Sequence, residues 1–235
     1  MKQAIILAGG YGSRLGEITK KTPKPALMVK GKPLICHVVD YLASYGLKEI
    51  YIKLFYKASQ IEKVIGEREV DFIWEKVLSG TAGFLKKHED ILDDNFLVVN
   101  GDTITNLDLK DFIDFHYKFD NIASIYTQDT ARHCGGIYAF KKSVVKYIKS
   151  NSEMIDKHLI PTLEKNNIPI SLYFDDRAYY FDCNTKEKLD KANKLWEHSS
   201  SALSVRKKAH ALTSLNTYQM DQSQFLQDTP PIKAK

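Results

Sequence analysis

KQAIILAGGYGSRL, residues 2–15, carries a continuous apolar run that stops at glycine. A half-buried strand alternates polar and apolar residues, whereas Ala4 to Ala8 offers apolar side chains to both faces, as a central parallel strand must. The stretch predicts a sheet covered on both sides. From Pro33 the residues Leu34, Ile35, Val38, Val39, Leu42 and Tyr45 recur at three- and four-residue spacing until Gly46, which predicts a helix opened by proline and closed by glycine. EIYIKLF (49–55) predicts a strand. A helix near 57–65, the strand VDFIWEKV (70–77), a helix near 81–92 and the strand FLVVNGDT (96–103) continue the alternation. Further on come a helix at 108–118, strands near 122–127 and 136–140, and helices near 141–150 and 154–166. The strands ISLYFD and AYYFDCN and a helix at 185–197 follow. The fold class is α/β: a mostly parallel sheet with helices on both faces, in a single domain over 1–197.

The first strand leaves through LAGGYGSRLGEITKKTPKPALMV (7–29), where Gly9, Gly10, Gly12 and Gly16 can turn sharply or approach a ligand closely. Arg14 and Lys24 bring fixed positive charge to the same place, so the stretch reads as an anion site. It is not a dinucleotide fingerprint, because Leu15 stands where GxGxxG needs glycine, and no GxxxxGK[ST] occurs. Ligands of open α/β sheets bind beyond the carboxyl ends of the strands. There the chain offers Glu75 followed by LSGTAG, then Gly101-Asp102-Thr103, then Asp182 in AYYFDCN. Backbone donors, two cations and two carboxylates suit a nucleoside triphosphate with Mg²⁺. Each element also has a plainer reading: a turn, a helix cap at Asp102 or Asp182, a solvated Lys24, or a Glu75 facing water.

Composition narrows the class. With 43% hydrophobic and 27% charged residues among 235, the chain is of ordinary globular type, and no window approaches the roughly 18 apolar residues of a membrane span. The apolar part of MKQAIILAGG is too short for a secretory signal, so a cytoplasmic location is expected, away from any membrane. Cys36, Cys134 and Cys183 form no CxxC pair and imply neither a zinc site nor a disulfide framework. The net charge of +5 is spread along the chain, which argues against nucleic acid. Residues 198–235 are rich in Ser, Thr and Gln and read as a mobile or partner-docked tail, with one short helix around 202–212.

GGYGSRL followed by TPKP, GTAG, NGDT and finally FD, in this order, resembles the sugar-1-phosphate nucleotidyltransferases over about residues 3–196. Within it, the chain is most similar to the compact mannose-1-phosphate and manno-heptose-1-phosphate guanylyltransferases. The resemblance implies a Rossmann-like domain that transfers a nucleoside monophosphate from an NTP to a sugar 1-phosphate and releases pyrophosphate. It implies a triphosphate wrapped by Leu7, Ala8, Gly9, Gly10, Gly12 and Ser13, with Arg14 on the leaving phosphates and Lys24 between the α-phosphate and the sugar phosphate. Asp102 and Asp182 would hold Mg²⁺. Glu75, Gly80 and Thr81 would form the base pocket, and Gly136, Asp156 and Lys157 the sugar-phosphate side.

Glu75 stands five residues before Gly80, where uridylyl- and thymidylyltransferases of the family commonly carry Gln. An ionised carboxylate only accepts hydrogen bonds, and guanine presents two adjacent donors, so GTP is favoured and CTP is the runner-up. The family's S-x-E-x-D-x-x-P element is reduced to MIDKHLIP (154–161), with Asp156 for Glu and His158 for Asp, and CNT follows Asp182 where relatives often have a glycine. Three readings stand: a guanylyltransferase; a cytidylyltransferase acting on a sugar phosphate or a non-sugar phosphate such as phosphocholine; and an inactive nucleotide-binding interaction module. Homo-oligomer formation is left open.

Overall fold

The computed structural model describes residues 1–128 and 134–196. The expectations for 198–235, the short helix included, lie outside the described residues. The elements are β1 (Gln3–Leu7), α1 (Glu17–Lys21), the short hairpin β2 (Met28–Val29) and β3 (Lys32–Pro33), α2 (Leu34–Ser44), β4 (Glu49–Leu54), α3 (Ala58–Ile65), β5 (Asp71–Trp74) and α4 (Thr81–Lys87). They continue with β6 (Asn95–Asn100), β7 (Thr103–Thr105), α5 (Leu109–Phe119), β8 (Ala123–Thr127), β9 (Cys134–Lys141), α6 (Ile160–Lys165), β10 (Ile170–Phe174), β11 (Tyr180–Asp182) and α7 (Lys186–Leu195).

Seven strands form one sheet in the order β10-β8-β9-β6-β1-β4-β5. All neighbours run parallel except β9, which is antiparallel to both β6 and β8. Strand β1 lies inside the sheet between β4 and β6, with Ile5 level with Tyr51 on one side and Val98 on the other. Its side chains alternate as its burial demands. Ala4 and Ile6 pack in a layer with Val38, Leu42, Ile61 and Phe112, and Ile5 packs in the opposite layer with Phe84, Leu159 and Leu163. The buried Gln3 keeps its polar groups satisfied by donating to Ile91 O at 2.8 Å and accepting from Asp93 N at 2.9 Å.

Several expected helices are shorter or tighter. Residues 142–147 form a 3₁₀ segment, and the stretch expected as one helix over 154–166 is a π turn (Ile155–Leu159) running into α6. The hairpin at 28–33 was not read from sequence; its turn places Lys30 at φ 50° and Gly31 at φ 76°. Among the described residues, no helix is long and apolar enough to cross a membrane.

One core group makes stability pH-dependent. His116 is 1% exposed, with Nδ1 2.9 Å from Ser124 Oγ and Nε2 3.2 Å from Asn95 Oδ1. Burial, helped by the Lys141 charge, lowers its pKa from 6.5 to about 4. The unfolded chain then binds more protons than the folded one between those two values, so stability falls as pH falls through that window. Urea unfolding is expected to show a loss of about 2 kcal/mol from this group between pH 7 and pH 5. His116→Gln should flatten that difference.

Candidate active site

Beyond the end of β1 the chain bends through a left-handed Gly12 (φ 67°) into a 3₁₀ turn over Ser13–Leu15. A Cβ on Gly12 would lie 2.9 Å from Thr19 Cγ2 and 3.1 Å from Lys24 Cβ, so the glycine lets the loop close against the lysine segment. Thr19 Oγ1 ties the bend by donating to Gly12 O and Gly16 O, both at 3.1 Å. The N–H groups of Gly9, Gly10, Tyr11 and Gly12 have no acceptor among the described residues. Backbone N–H groups without a protein acceptor are the kind of donor that phosphate oxygens take up. Arg14 is exposed beside it.

Lys24 begins a 3₁₀ turn between Pro23 and Pro25, and its ammonium donates to Asp102 Oδ2. Both side chains are mostly buried, at 19% and 13% exposure, so the solvated-lysine reading fails. Asp102 also caps no helix: it lies between β6 and β7, and Asp108 is the residue that caps α5. Asp182 is level with Thr103 in the antiparallel β11–β7 pair, and Cys183 N donates to Asp102 O at 3.2 Å, which brings the two carboxylate-bearing segments side by side. Cys183 is buried beside them. Burial and the Asp102 and Asp182 charges push its thiol up to about 12, so it stays protonated. Gly136 (φ 65°) lies against the same corner, where a Cβ would be 2.5 Å from Asn100 Nδ2 and 3.2 Å from Thr103 Oγ1. The glycine loop, Lys24, both aspartates and Gly136 therefore share one end of the sheet.

Asp102 and Asp182, each holding an ammonium, stand on paired segments, and carboxylate oxygens are the donors a hard cation takes. Among the described residues no group of three or more His, Cys, Asp or Glu could enclose a metal on its own.

The 75–83 segment is tied to its neighbours. Glu75 does not face water: its carboxylate is 0% exposed and turned inward. Oε1 accepts from Ser79 Oγ at 2.6 Å, and Oε2 accepts from Ser79 N at 3.1 Å and lies 3.1 Å from Lys53 Nζ. Burial pushes this carboxyl up, but the Ser79 hydrogen bonds and the Lys53 charge outweigh it and hold it below the usual range. Lys53 also donates to Ser79 O at 2.7 Å and Ser79 Oγ at 3.1 Å. The polar groups of Gly80 and Thr81 are likewise engaged. Gly80 N donates to Asn151 O at 2.8 Å, and Thr81 Oγ1 accepts from Ile155 N at 2.8 Å. The GTAG segment thus clamps residues 151–155, which lead directly into Asp156 and Lys157.

Asp156 accepts a hydrogen bond from Tyr138 Oη at 2.5 Å, Lys157 is exposed, and His158 Nδ1 accepts from Met154 N at 2.9 Å. Sequence reasoning missed Lys53, Tyr138 and Lys188. The signal for Lys53 was present, since it is the one charged residue inside the apolar strand segment IYIKLF.

The nucleotidyl transferase family profile matches residues 3–135. A mannose-1-phosphate guanyltransferase of Yarrowia lipolytica is 30% identical over 220 residues, covering 77% of this chain and 60% of that protein. A D-glycero-alpha-D-manno-heptose 1-phosphate guanylyltransferase of Aneurinibacillus thermoaerophilus is 26% identical over 229 residues, covering 83% of this chain and 99% of that protein. The chain spans about 60% of the length of the fungal relatives it matches. The crystal structure of HddC from Yersinia pseudotuberculosis superposes with a TM-score of 0.69 at 26% identity, covering 84% of this chain and all of HddC. A second HddC structure, complexed with GMP-PN, superposes with a TM-score of 0.67. With a sheet of this topology, a glycine loop closed on Lys24 and a profile match over more than half its length, the chain belongs to the nucleotidyl transferase family.

Proposed function

We propose that this chain transfers a guanylyl group from GTP to a sugar 1-phosphate of the mannose or manno-heptose type and releases pyrophosphate. The observation that carries the reading is the Lys24–Asp102 pair set beside the Asp182 segment, against a loop whose N–H groups have no acceptor among the described residues. A phosphate oxygen of the acceptor attacks the α-phosphorus, the bond to the β-phosphate oxygen breaks, and pyrophosphate departs. Nothing covalent is needed from the protein. The loop N–H groups from Gly9 to Gly12 hold the triphosphate, Arg14 takes up charge on the leaving phosphates, and Lys24 offsets the repulsion between two anions brought together. Mg²⁺ held by Asp102 and Asp182 would polarise the α-phosphate.

Guanine is favoured by the relatives, several of which are named guanylyltransferases, and by the HddC complex with GMP-PN. Reading guanine through Glu75 requires Ser79 to release Oε1, because both carboxylate oxygens are engaged and closed to solvent. On the acceptor side, Asp156 and Lys157 would meet the sugar and its phosphate.

The test is pyrophosphate release with Mg²⁺ and each of GTP, CTP, UTP, dTTP and ATP, against mannose 1-phosphate and manno-heptose 1-phosphate. Selective release with GTP is expected. Release with CTP alone would keep the reaction and overturn the base assignment, and silence throughout would favour a nucleotide-binding module.

A further inference from the structure

Asp182 is engaged at both oxygens. Asn184 Nδ2 donates to Oδ2 at 2.6 Å, and the Lys188 ammonium reaches Oδ1 at 2.6 Å and Oδ2 at 2.8 Å. The backbone enforces this arrangement. Asn184 N turns back to Asp182 O at 2.6 Å, Thr185 caps α7 by accepting from Lys188 N at 3.3 Å, and the first helical turn then aims Lys188 at the carboxylate. Asn184 therefore helps to hold the carboxylate in place. Asp102 is matched in the same way by Lys24, so each aspartate of the pair carries its own ammonium.

We propose that Lys188 is a tethered counter-cation of Asp182, one that competes with a free divalent ion and yields when the ion arrives bound to nucleotide. The inference rests on Asp102 and Asp182 being the metal ligands. The pair is built to be displaced: Lys188 is 48% exposed and Asp182 31%, a partly solvated ion pair of modest strength. A free ion must push the ammonium off and leave it unpaired beside a dication. An ion arriving with a triphosphate brings anionic oxygens that can take the displaced ammonium. Metal binding and nucleotide binding are thereby linked through one side chain. Lys188 is a positioning residue, distinct from Lys24, whose pair with Asp102 is far more enclosed.

The experiment titrates the full chain with Mn²⁺, following free Mn²⁺ by electron paramagnetic resonance, and repeats the titration with Mn²⁺–GTP in the absence of acceptor. Lys188→Met keeps the aliphatic stem and removes the charge. It should bind Mn²⁺ alone about threefold to tenfold tighter than the wild type, with Lys188→Gln behaving alike and Lys188→Arg unchanged. Its affinity for Mn²⁺–GTP should be equal or weaker. A side chain that merely supports the turn would weaken both when removed. Unchanged or weaker Mn²⁺ binding in Lys188→Met, with an unaltered melting midpoint, would overturn the proposal. So would a gain for Mn²⁺–GTP equal to that for Mn²⁺. Asp182→Asn separates the two layers: Mn²⁺ affinity indifferent to it overturns the metal assignment together with the role of Lys188. Sensitivity to it without a gain in Lys188→Met overturns the role of Lys188 alone.

Discussion

Asp102→Asn is expected to lower turnover by about a thousandfold or more while the protein stays folded. The substitution is nearly isosteric, but it removes the charge that accepts the Lys24 ammonium in a mostly buried pair. Lys24 loses the anchor that points it into the site, and a neutral amide is a poor ligand for Mg²⁺. The two losses fall on the same few ångströms of the reaction path, so they do not add independently. Initial rates of pyrophosphate release, read beside a thermal melt, check the prediction. A folded variant with near-normal turnover would mean that neither the metal nor Lys24 depends on this carboxylate.

The second large effect concerns stability and falls on a glycine that the motif reading assigned to no ligand. A Cβ on Gly83 would sit 2.0 Å from Asn151 O and 2.3 Å from Asn151 C, both backbone atoms with no rotamer to retreat into. Helix α4 and the 151–155 segment would have to part, breaking the bonds from Ala82 N at 2.9 Å and Gly83 N at 3.0 Å to Glu153 O. Overpacking against rigid backbone costs on the order of 3 kcal/mol or more, which for a chain of this size lowers the melting midpoint by roughly 10 °C. Gly83→Ala should show that loss by calorimetry or circular dichroism. Gly10→Ala provides the contrast, because nothing lies within 4 Å of its Cβ, and its melting midpoint should stay near the wild-type value.

These two cases differ in what a sequence can carry. The glycine loop was legible as a bend rich in backbone donors because its chemistry is local. Glycines, an arginine and a lysine fenced by prolines keep their chemistry whatever packs around them, and the structure adds that the bend at Gly12 lies against Thr19 and Lys24. Glu75 was legible as a residue but not as an environment. Its position near the end of a strand was readable, whereas the lysine that covers it comes from the neighbouring strand, 22 positions earlier, through the β4–β5 pairing. Of the GTAG glycines only Gly80 reads as a ligand contact in sequence, and the crowding of Gly80 and Gly83 against residues 151–153 depends on a chain segment about 70 residues away.

The sequence by itself determined the α/β alternation, the double-sided burial of the first strand and the set of charged groups at the strand ends, because periodicity and side-chain chemistry are carried by neighbouring residues. Only the tertiary structure decided that β9 runs against its neighbours, that Glu75 is closed off by Lys53 and Ser79, and that Asp102 and Asp182 each hold an ammonium. Those outcomes depend on strand order and on contacts between segments distant along the chain, or on the turn that aims Lys188 back at Asp182. No local pattern specifies how a buried charge will find its partner.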